Sequence, residues 1–173
     1  MVQAALNNQH NNVREDQNES THPNDELENI LPEDLTDHPA ILAFQAAQRS
    51  FIVTNPRLPG NPIVYASPGF LELTGYPIER VLGRNCRFLQ GPETDPAAVA
   101  RLREAVDNGR GVNVTMLNYR QDGSTFWNRI SIASVRDAKE QVTYFLGIQH
   151  IQVSPLYAGE EEDVLSKPSI FIG

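Results

Sequence analysis

The order of hydrophobic segments predicts an α+β domain, with a five-stranded antiparallel sheet, helices on one face and a pocket between the two layers. Two short β-branched segments come first, several short helices follow, and three longer strands close the domain. Strands and helices in this order favour a sheet with its helices gathered on one side. The chain has 173 residues, 40% of them apolar, which suits one such domain with a buried core.

Residues 1–36 are predicted to form a disordered or poorly ordered acidic extension. Their first part is rich in Asn and Gln and has few bulky apolar residues, so burial cannot offset the entropy lost on ordering. The second part contains a few apolar residues, namely Leu27, Ile30, Leu31 and Leu35. The alternative to disorder is therefore a short helical turn in this part that packs on the domain.

Residues 37–50 are predicted to form an N-terminal cap helix. Asp37 is the predicted N-cap, Pro39 lies in the first turn, and the helix reaches about Arg49. Its apolar surface exceeds what one buried face requires. Two interpretations therefore stay open, namely docking onto its own domain and a subunit interface.

Turn residues and helix caps divide the predicted core, residues 51–153, into its elements. The predicted strands are Phe51–Thr54, Ile63–Ala66, Gly111–Arg120, Ser124–Asp137 with a bend near its end, and Gln141–Val153. The predicted helices run from Ser67 to Gly75, from Pro77 to Leu82, and from Asp95 to Asn108-Gly109, the last with an apolar stripe of Val99, Leu102 and Val106. Residues 154–173 form a short tail, and its last five residues, SIFIG, are an alternative element that docks on the sheet.

The charge distribution separates the flanks from the core. The net charge of −8 divides into −8 for residues 1–37, +3 for residues 38–152 and −3 for residues 153–173. A mildly positive core suits one anionic cofactor, whereas acidic arms argue against nonspecific binding to nucleic acid or membranes. The sequence has no apolar run long enough to span a bilayer and no signal peptide, so we expect a cytoplasmic protein.

The stretch from Gly83 to Asp95 holds the one cysteine of the chain, Cys86, among polar side chains. Arg84 and Arg87 suit phosphate or carboxylate, and the segment also offers amides and apolar surface to a ligand that is anionic at one end and flat at the other. A single cysteine is more often a small buried hydrophobic residue, and composition alone favours that interpretation.

Two asparagines are predicted to face each other in the hairpin around Asp122-Gly123. A three-residue loop of residues 122–124 would put Asn118 directly opposite Asn128, both on the inward face. Buried amides need hydrogen-bond partners, which a ligand would supply; amide-to-amide pairing across the strands is the alternative. On the last strand, alternation turns Gln149 inward with Phe145 and Gly147, and the glycine favours close approach of a flat ring.

The segment GRNCRFLQ, followed by GPETD, LNYRQDGSTFWNRISIASVRD and YFLGIQ, resembles the signature of LOV (light-oxygen-voltage) domains, blue-light flavin photoreceptors of the PAS fold. The resemblance extends from about Phe51 to Gln152. It implies that FMN is bound, that Cys86 forms a reversible bond with flavin carbon C4a on illumination, and that Gln149 acts as an amide switch near N5.

The same resemblance implies the flavin-binding residues. Arg87 and Arg103 match positions that hold the phosphate, although a solvated helix face is the likelier origin of Arg103 taken alone. Polar contacts along the ribityl chain are implied for Asn85 and Gln90, and contacts with the pyrimidine edge for Asn118 and Asn128. The remaining implied contacts are Ile52, Thr54, Leu89, Ile132 and Phe145.

The expected function is that of a short LOV photoreceptor without a fused effector domain, not an enzyme and without a metal. We expect a homodimer with light-dependent association or geometry, in which the sheet passes the signal to the flanking helix. Alternatives are a flavoenzyme or flavin redox sensor, for which the sequence has no nicotinamide fingerprint, and a PAS interaction module that holds another small molecule.

Overall fold

The computed structural model describes residues 28–152 and 169–171, and its described part is built around one sheet. Five strands form an antiparallel sheet in the order β2-β1-β5-β4-β3. Their bounds are Phe51–Thr54 (β1), Ile63–Ala66 (β2), Val112–Tyr119 (β3), Thr125–Arg136 (β4) and Val142–Gln152 (β5). The predicted α+β class and the five antiparallel strands are therefore confirmed. A further strand, β6 (Ser169–Phe171), pairs with β4 in parallel.

Three α-helices and three 3₁₀ turns connect and cover the strands. The helices are α1 (Pro39–Ala46), α2 (Pro68–Thr74) and α3 (Pro96–Asp107), and the 3₁₀ turns are Glu33–Leu35, Ile78–Arg80 and Cys86–Leu89. In the part of the chain that the structure describes, no helix has the length and apolar composition needed to cross a bilayer.

The caps of α2 and α3 agree with the sequence. The Ser67 side chain accepts a hydrogen bond from the N–H of Phe70, and Gly75 ends α2 in the left-handed conformation with φ 74°. The Asp95 carboxylate accepts from the N–H groups of Ala97 and Ala98 at the start of α3. Local capping chemistry therefore sets the start of both helices, and Ser67 Oγ also donates to the carbonyl of Arg49 and accepts the N–H of Phe51.

The cap of α1 differs from the prediction. His38, not Asp37, is the N-cap, because its Nδ1 accepts the N–H of Ala40 at 3.2 Å and Pro39 begins the helix directly after it. The helix ends at Ala46, short of Arg49, and Gln48 has a φ of 49°, a left-handed conformation that stops a helix.

Alternation along the strands gives the sheet two unlike faces. We call the side that carries Ile52, Ile132 and Gly147 the inner face; α2, α3 and the Cys86 turn lie over it. The opposite side, the outer face, carries Phe51, Val53, Val135 and Leu146, all essentially fully buried.

Residues 28–46, which we call the N-terminal strap, cover part of the outer face. Leu35 and Ile41 are 0% and 1% exposed and pack with Phe51 and Leu146. Leu31 joins the same cluster, so the structure shows the short turn packed on the domain that the sequence offered as an alternative. The predicted boundary at residue 36 thus falls inside the strap, and residues 1–27 lie outside the described part.

The β3–β4 hairpin has a register two residues away from the predicted one. Asn118 pairs with Phe126, and Asn128 pairs with Met116, so the two asparagines are not directly opposite. The loop is Gln121-Asp122-Gly123, closed by a hydrogen bond from the N–H of Arg120 to the carbonyl of Ser124. Gly123, with φ 83°, takes the left-handed third position of such a loop. A shift of two residues keeps each side chain on its face, so both asparagines still point inward.

Candidate functional site

A cavity of about 380 Å³ lies between the inner face and the helices that cover it. This volume is within the roughly 300–1,000 Å³ typical of small-molecule sites. Most of the predicted site residues line the cavity, namely Ile52, Thr54, Asn85, Cys86, Arg87, Gln90, Arg103, Ile132 and Phe145. Four others are buried without lying on its wall: Leu89, which packs among apolar residues, and Asn118, Asn128 and Gln149.

Backbone pairing with β2 holds the cysteine segment against the cavity. Ile63 donates its N–H to the carbonyl of Arg84 and accepts from the N–H of Gly83, which fixes the chain just before the 3₁₀ turn. Asn85 caps that turn by accepting from the N–H of Arg87, and its Nδ2 donates to the carbonyl of Gly60 at 2.7 Å. The polar residues of the motif therefore position Cys86.

The surroundings of Cys86 keep its thiol protonated. Burial raises the pKa of the thiol above its ordinary value, and this effect exceeds the lowering caused by its backbone hydrogen bond and by the Arg87 charge. A neutral S–H group at physiological pH follows. This is unlike the lowered pKa of cysteines that act as ordinary thiolate nucleophiles.

Three residues in a row across the sheet form a flat floor for the cavity. Gly147 pairs with Ile52 on one side and with Ile132 on the other. A Cβ atom at Gly147 would lie 3.3 Å from both Ile52 Cγ1 and Ile132 Cδ1, a tighter contact than side chains usually make. Glycine here leaves a shallow cradle that a planar ring could occupy.

The two asparagines leave one acceptor unpaired. Asn128 Nδ2 donates to Asn118 Oδ1 at 2.9 Å, and Asn118 Nδ2 donates to the carbonyl of Leu117. Asn128 is 0% exposed, and its Oδ1 has no hydrogen-bond partner. An orphaned buried acceptor is costly, so it indicates a missing donor such as a ligand N–H.

Gln149 connects the inner face with the chain segment that precedes β1. Its Oε1 accepts from Ser50 Oγ at 3.1 Å, its Nε2 donates to the carbonyl of Gly147, and its own N–H donates to the carbonyl of Ser50. The amide is thus held at the edge of the Gly147 cradle, and Ser50 joins it to the end of the strap.

Two arginines stand at the rim. Both Arg87 and Arg103 line the cavity with exposed side chains, and Arg87 Nε donates to Asn85 Oδ1. Neither guanidinium forms an ion pair with any described residue. Two uncompensated cations beside an apolar cavity suit the anionic end of a ligand.

Sequence reasoning missed several residues of this site. Asn61, with φ 50°, lines the cavity, and its buried Oδ1 has no partner. No local sequence pattern pointed to Ser50, because its role depends on contact with Gln149, which is 99 positions away. The predicted apolar stripe of α3 lines the cavity, whereas the buried residues of that helix are Ala98 and Ala105.

These features fit a flavin. The Gly147 cradle suits a flat ring, the orphaned amide oxygens suit its polar edge, and the two arginines suit a phosphate. The described residues contain no group of three or more His, Cys, Asp and Glu side chains that could hold a metal ion.

Comparison with known proteins identifies relatives of the core. A PAS domain model matches residues 48–150. Phototropin-1A of Oryza sativa subsp. japonica is 52% identical over 106 residues, which are 61% of this chain and 12% of phototropin. A blue-light-activated histidine kinase of Rhizobium johnstonii is 49% identical over 110 residues, 64% of this chain and 32% of the kinase.

A solved light-oxygen-voltage domain, from work on a flavin analogue, superposes with a TM-score of 0.67 at 52% identity. The match covers 69% of this chain and 89% of that domain. The chain thus spans nearly all of a solved photosensory domain but only about an eighth to a third of the curated relatives.

Proposed function

Because the chain belongs to the PAS family and, within it, to the LOV domains, we propose that it is a blue-light photoreceptor that binds FMN noncovalently. The observation that carries this proposal is a neutral cysteine thiol on the wall of a cavity that has a flat floor and is lined by Asn61, whose buried Oδ1 has no hydrogen-bond partner. We also propose that the protein is cytoplasmic and does not turn over a substrate.

The proposed photochemistry is a reversible bond between Cys86 and the cofactor. The flavin would supply light absorption and ring carbon C4a, to which the sulfur bonds while the thiol proton passes to N5; the reverse in darkness restores both, so no oxidant or reductant is consumed. The protonated Cys86 suits this step because it brings the proton with the sulfur.

The proposed binding roles are those that the resemblance to LOV domains implies. Asn128, with its unpaired Oδ1, and Asn118 would hold the pyrimidine edge, and Arg87 and Arg103 would hold the phosphate. Asn85 and Gln90 would contact the ribityl chain, while Ile52, Thr54, Leu89, Ile132 and Phe145 would pack around the ring.

The signal is proposed to leave through Gln149. A protonated N5 donates a hydrogen bond where it previously accepted one, and rotation of the Gln149 amide would answer that change by exchanging its nitrogen and oxygen. Ser50 Oγ now donates a hydrogen bond to Gln149 Oε1 at 3.1 Å. After rotation, Gln149 Nε2, which is a donor, would take the place of that oxygen, and the hydrogen bond from Ser50 would be lost. Ser50 directly precedes β1 and follows the strap, so this contact gives the change a route to the outer face.

Self-association is the proposed output. The strap exposes Leu42 by 48% and Ile30 by 64%, whereas Leu31, Leu35 and Ile41 are buried and Phe44 is partly buried. Two exposed apolar side chains on a segment that the photochemistry would disturb favour a homodimer built through this region, with light altering its geometry.

The absorption spectrum of the purified protein before and after blue light tests the photochemistry. We expect a flavin spectrum that bleaches on illumination and returns in darkness. Cys86→Ala should keep the flavin and lose the reversible bleaching. Bleaching that persists in Cys86→Ala, or a protein that stays colourless with added FMN, would contradict the proposal.

Light scattering in darkness and under illumination tests the output. The wild-type protein should change its molar mass or hydrodynamic radius with light, and Leu42→Ser should reduce that change. Ile151→Ser is the matched control, because Ile151 is 61% exposed but lies at the end of β5. Equal effects of both substitutions would exclude the strap as the contact.

A further inference from the structure

In the β3–β4 hairpin, β3 is shorter than β4 and leaves the end of β4 unpaired on one side. A segment from the C-terminal part of the chain, β6, pairs there instead. β3 begins at Val112, which pairs with Ile132, whereas β4 continues to Arg136. Residues 133–136 therefore have β5 on one side and no part of β3 on the other. We call these four residues the β4 edge.

The backbone of β6 occupies the β4 edge. Ser169, Ile170 and Phe171 pair in parallel with Ser134, Val135 and Arg136. Gln152, the last residue of β5, lies opposite Trp127, so the chain must travel about seven strand residues, roughly 23 Å, to reach Ser134. The sixteen intervening residues, 153–168, can extend about 50 Å, and the pairing is easily reached within one chain.

Without β6, the β4 edge would invite strand pairing. Ala133, Ser134 and Val135 are uncharged and buried. Arg136 is the one charged residue of the edge, but its guanidinium donates to the carbonyls of Gly109 and Glu140 and is held within the domain. Natural edge strands are usually protected by free charges, prolines or a covering segment, and here the covering segment is β6.

We propose that β6 closes the β4 edge against strand pairing with a second copy of the chain. The partner that fits is the same edge of another molecule, because two antiparallel copies of residues 133–136 form a self-complementary pair about a twofold axis. Within one chain, β6 acts as a tethered competitor at an effective concentration on the order of millimolar, far above that of a second molecule in dilute solution.

This assignment gives the C-terminal strand a role separate from photochemistry. The strap carries the exposed apolar residues proposed for light-dependent association and packs on the side chain of Val135, whereas β6 pairs with the backbone of the β4 edge. A closed β4 edge restricts association between chains to the light-controlled surface. It does so in darkness as well as in light.

Two measurements in the dark on full-length variants test the proposal. Ile170→Pro removes the backbone N–H of the central residue of β6 and disfavours its pairing, whereas Ile170→Val keeps both the N–H and the strand propensity. Amide hydrogen exchange of residues 133–136 reports whether the edge is covered, and a concentration series in analytical ultracentrifugation reports association.

Ile170→Pro should increase the amide exchange rates of the β4 edge at least tenfold. At the same protein concentration in the dark, its mass in solution should exceed that of both the wild type and Ile170→Val, because pairs of molecules form through the open edge. Unchanged exchange in Ile170→Pro would show that β6 does not cover the edge in solution. Faster exchange with an unchanged mass would show that the open edge does not pair with a second copy. Either result overturns the proposal, whatever the outcome of the light experiments.

Discussion

The two faces of the sheet are formed by the same strands, but they are covered in different ways. On the outer face, the strap fills the space, and Leu35, Phe51 and Val135 are fully buried. On the inner face, a cavity remains and Asn128 keeps an unpaired acceptor. The chain itself therefore fills the outer face, whereas the inner face keeps the cavity in which we propose that FMN binds.

The faces are joined where the strap enters the sheet. Ser50 follows α1 and precedes β1, and its hydroxyl donates to the Gln149 amide beside the Gly147 cradle. A change at Gln149 can therefore reach Ser50, which lies between the strap and β1.

The largest effect is expected on the outer face. Leu35→Ala removes a fully buried side chain from the strap cluster and should lower the free energy of unfolding by about 2–5 kcal/mol. Flavin binding should persist wherever the variant is folded, because Leu35 does not line the cavity. Urea denaturation and flavin absorbance measure the two quantities.

Leu42→Ala is the control for that substitution, since Leu42 lies on the same segment but is 48% exposed. Its free energy of unfolding should change by no more than about 0.5 kcal/mol. Loss of flavin in folded Leu35→Ala would mean that the two faces are not independent.

On the inner face, Asn128→Ala should weaken flavin binding by about 1–3 kcal/mol, roughly 5- to 150-fold in Kd, since the ligand edge would lose its partner. Titration of the apoprotein with FMN measures this affinity. Asn113→Ala is the matched control, because Asn113 also has a buried unpaired Oδ1 but lies on β3 with the opposite alternation. A similar loss in both variants would indicate general damage to the sheet.

The contact between the faces is expected to have a smaller effect. Ser50→Ala removes the donor to Gln149 Oε1, worth about 0.5–1.5 kcal/mol, so rates of dark recovery should change by at most about tenfold. The light-induced change in hydrogen exchange across α1 should decrease while bleaching remains. Ser131→Ala, on the outer side of β4, serves as the control. An undiminished response of α1 would exclude Ser50 as the route.

The smallest effects are expected in the pH dependence of stability, with opposite signs for the two faces. On the outer side, burial and the charges of Arg49 and Arg129 lower the pKa of His150 below 6.5. The unfolded chain then binds more protons, and stability should fall as the pH decreases through this region. The effect should be small because His150 is partly exposed.

On the inner side, the raised pKa of Cys86 stabilises the fold below pH 9.0, and this contribution should be lost as the pH rises above that value. Urea denaturation at several pH values, with His150→Gln and Cys86→Ala, should flatten the acid and the alkaline slope respectively. An acid slope that is unchanged in His150→Gln would remove that residue as its cause.

The elements that were predicted from the sequence are those set by local chemistry. Ser67-Pro68, Gly75 and Asp95-Pro96 fix their helices through caps within a few residues, and strand alternation correctly assigned Asn118, Asn128 and Gln149 to the inner face. The resemblance to LOV domains then gathered these residues into one site, and the family is confirmed while the individual flavin contacts stay predictions.

The features that the sequence did not reveal depend on longer range or on competition between neighbours. His38 and Asp37 are both able to cap α1, and only the start of the helix decides between them. The hairpin register followed from which loop position Gly123 occupies. Contacts of the strap, such as that of Leu35, join parts of the chain that no local pattern connects.

The outermost strand β2 and the end of β4 that β3 leaves uncovered are each engaged by a distant part of the chain. Asn29 places its amide on Ala66 of β2, donating to the carbonyl at 3.0 Å and accepting the N–H at 2.9 Å, while β6 lies along the end of β4 that β3 leaves open. A protein fused ahead of the strap or behind β6 would therefore be tethered to different edges of the PAS domain. Biosensors with a reporter protein fused at one or the other of these two points would attach it to different edges of the domain. Comparing their responses would show which edge changes first under illumination.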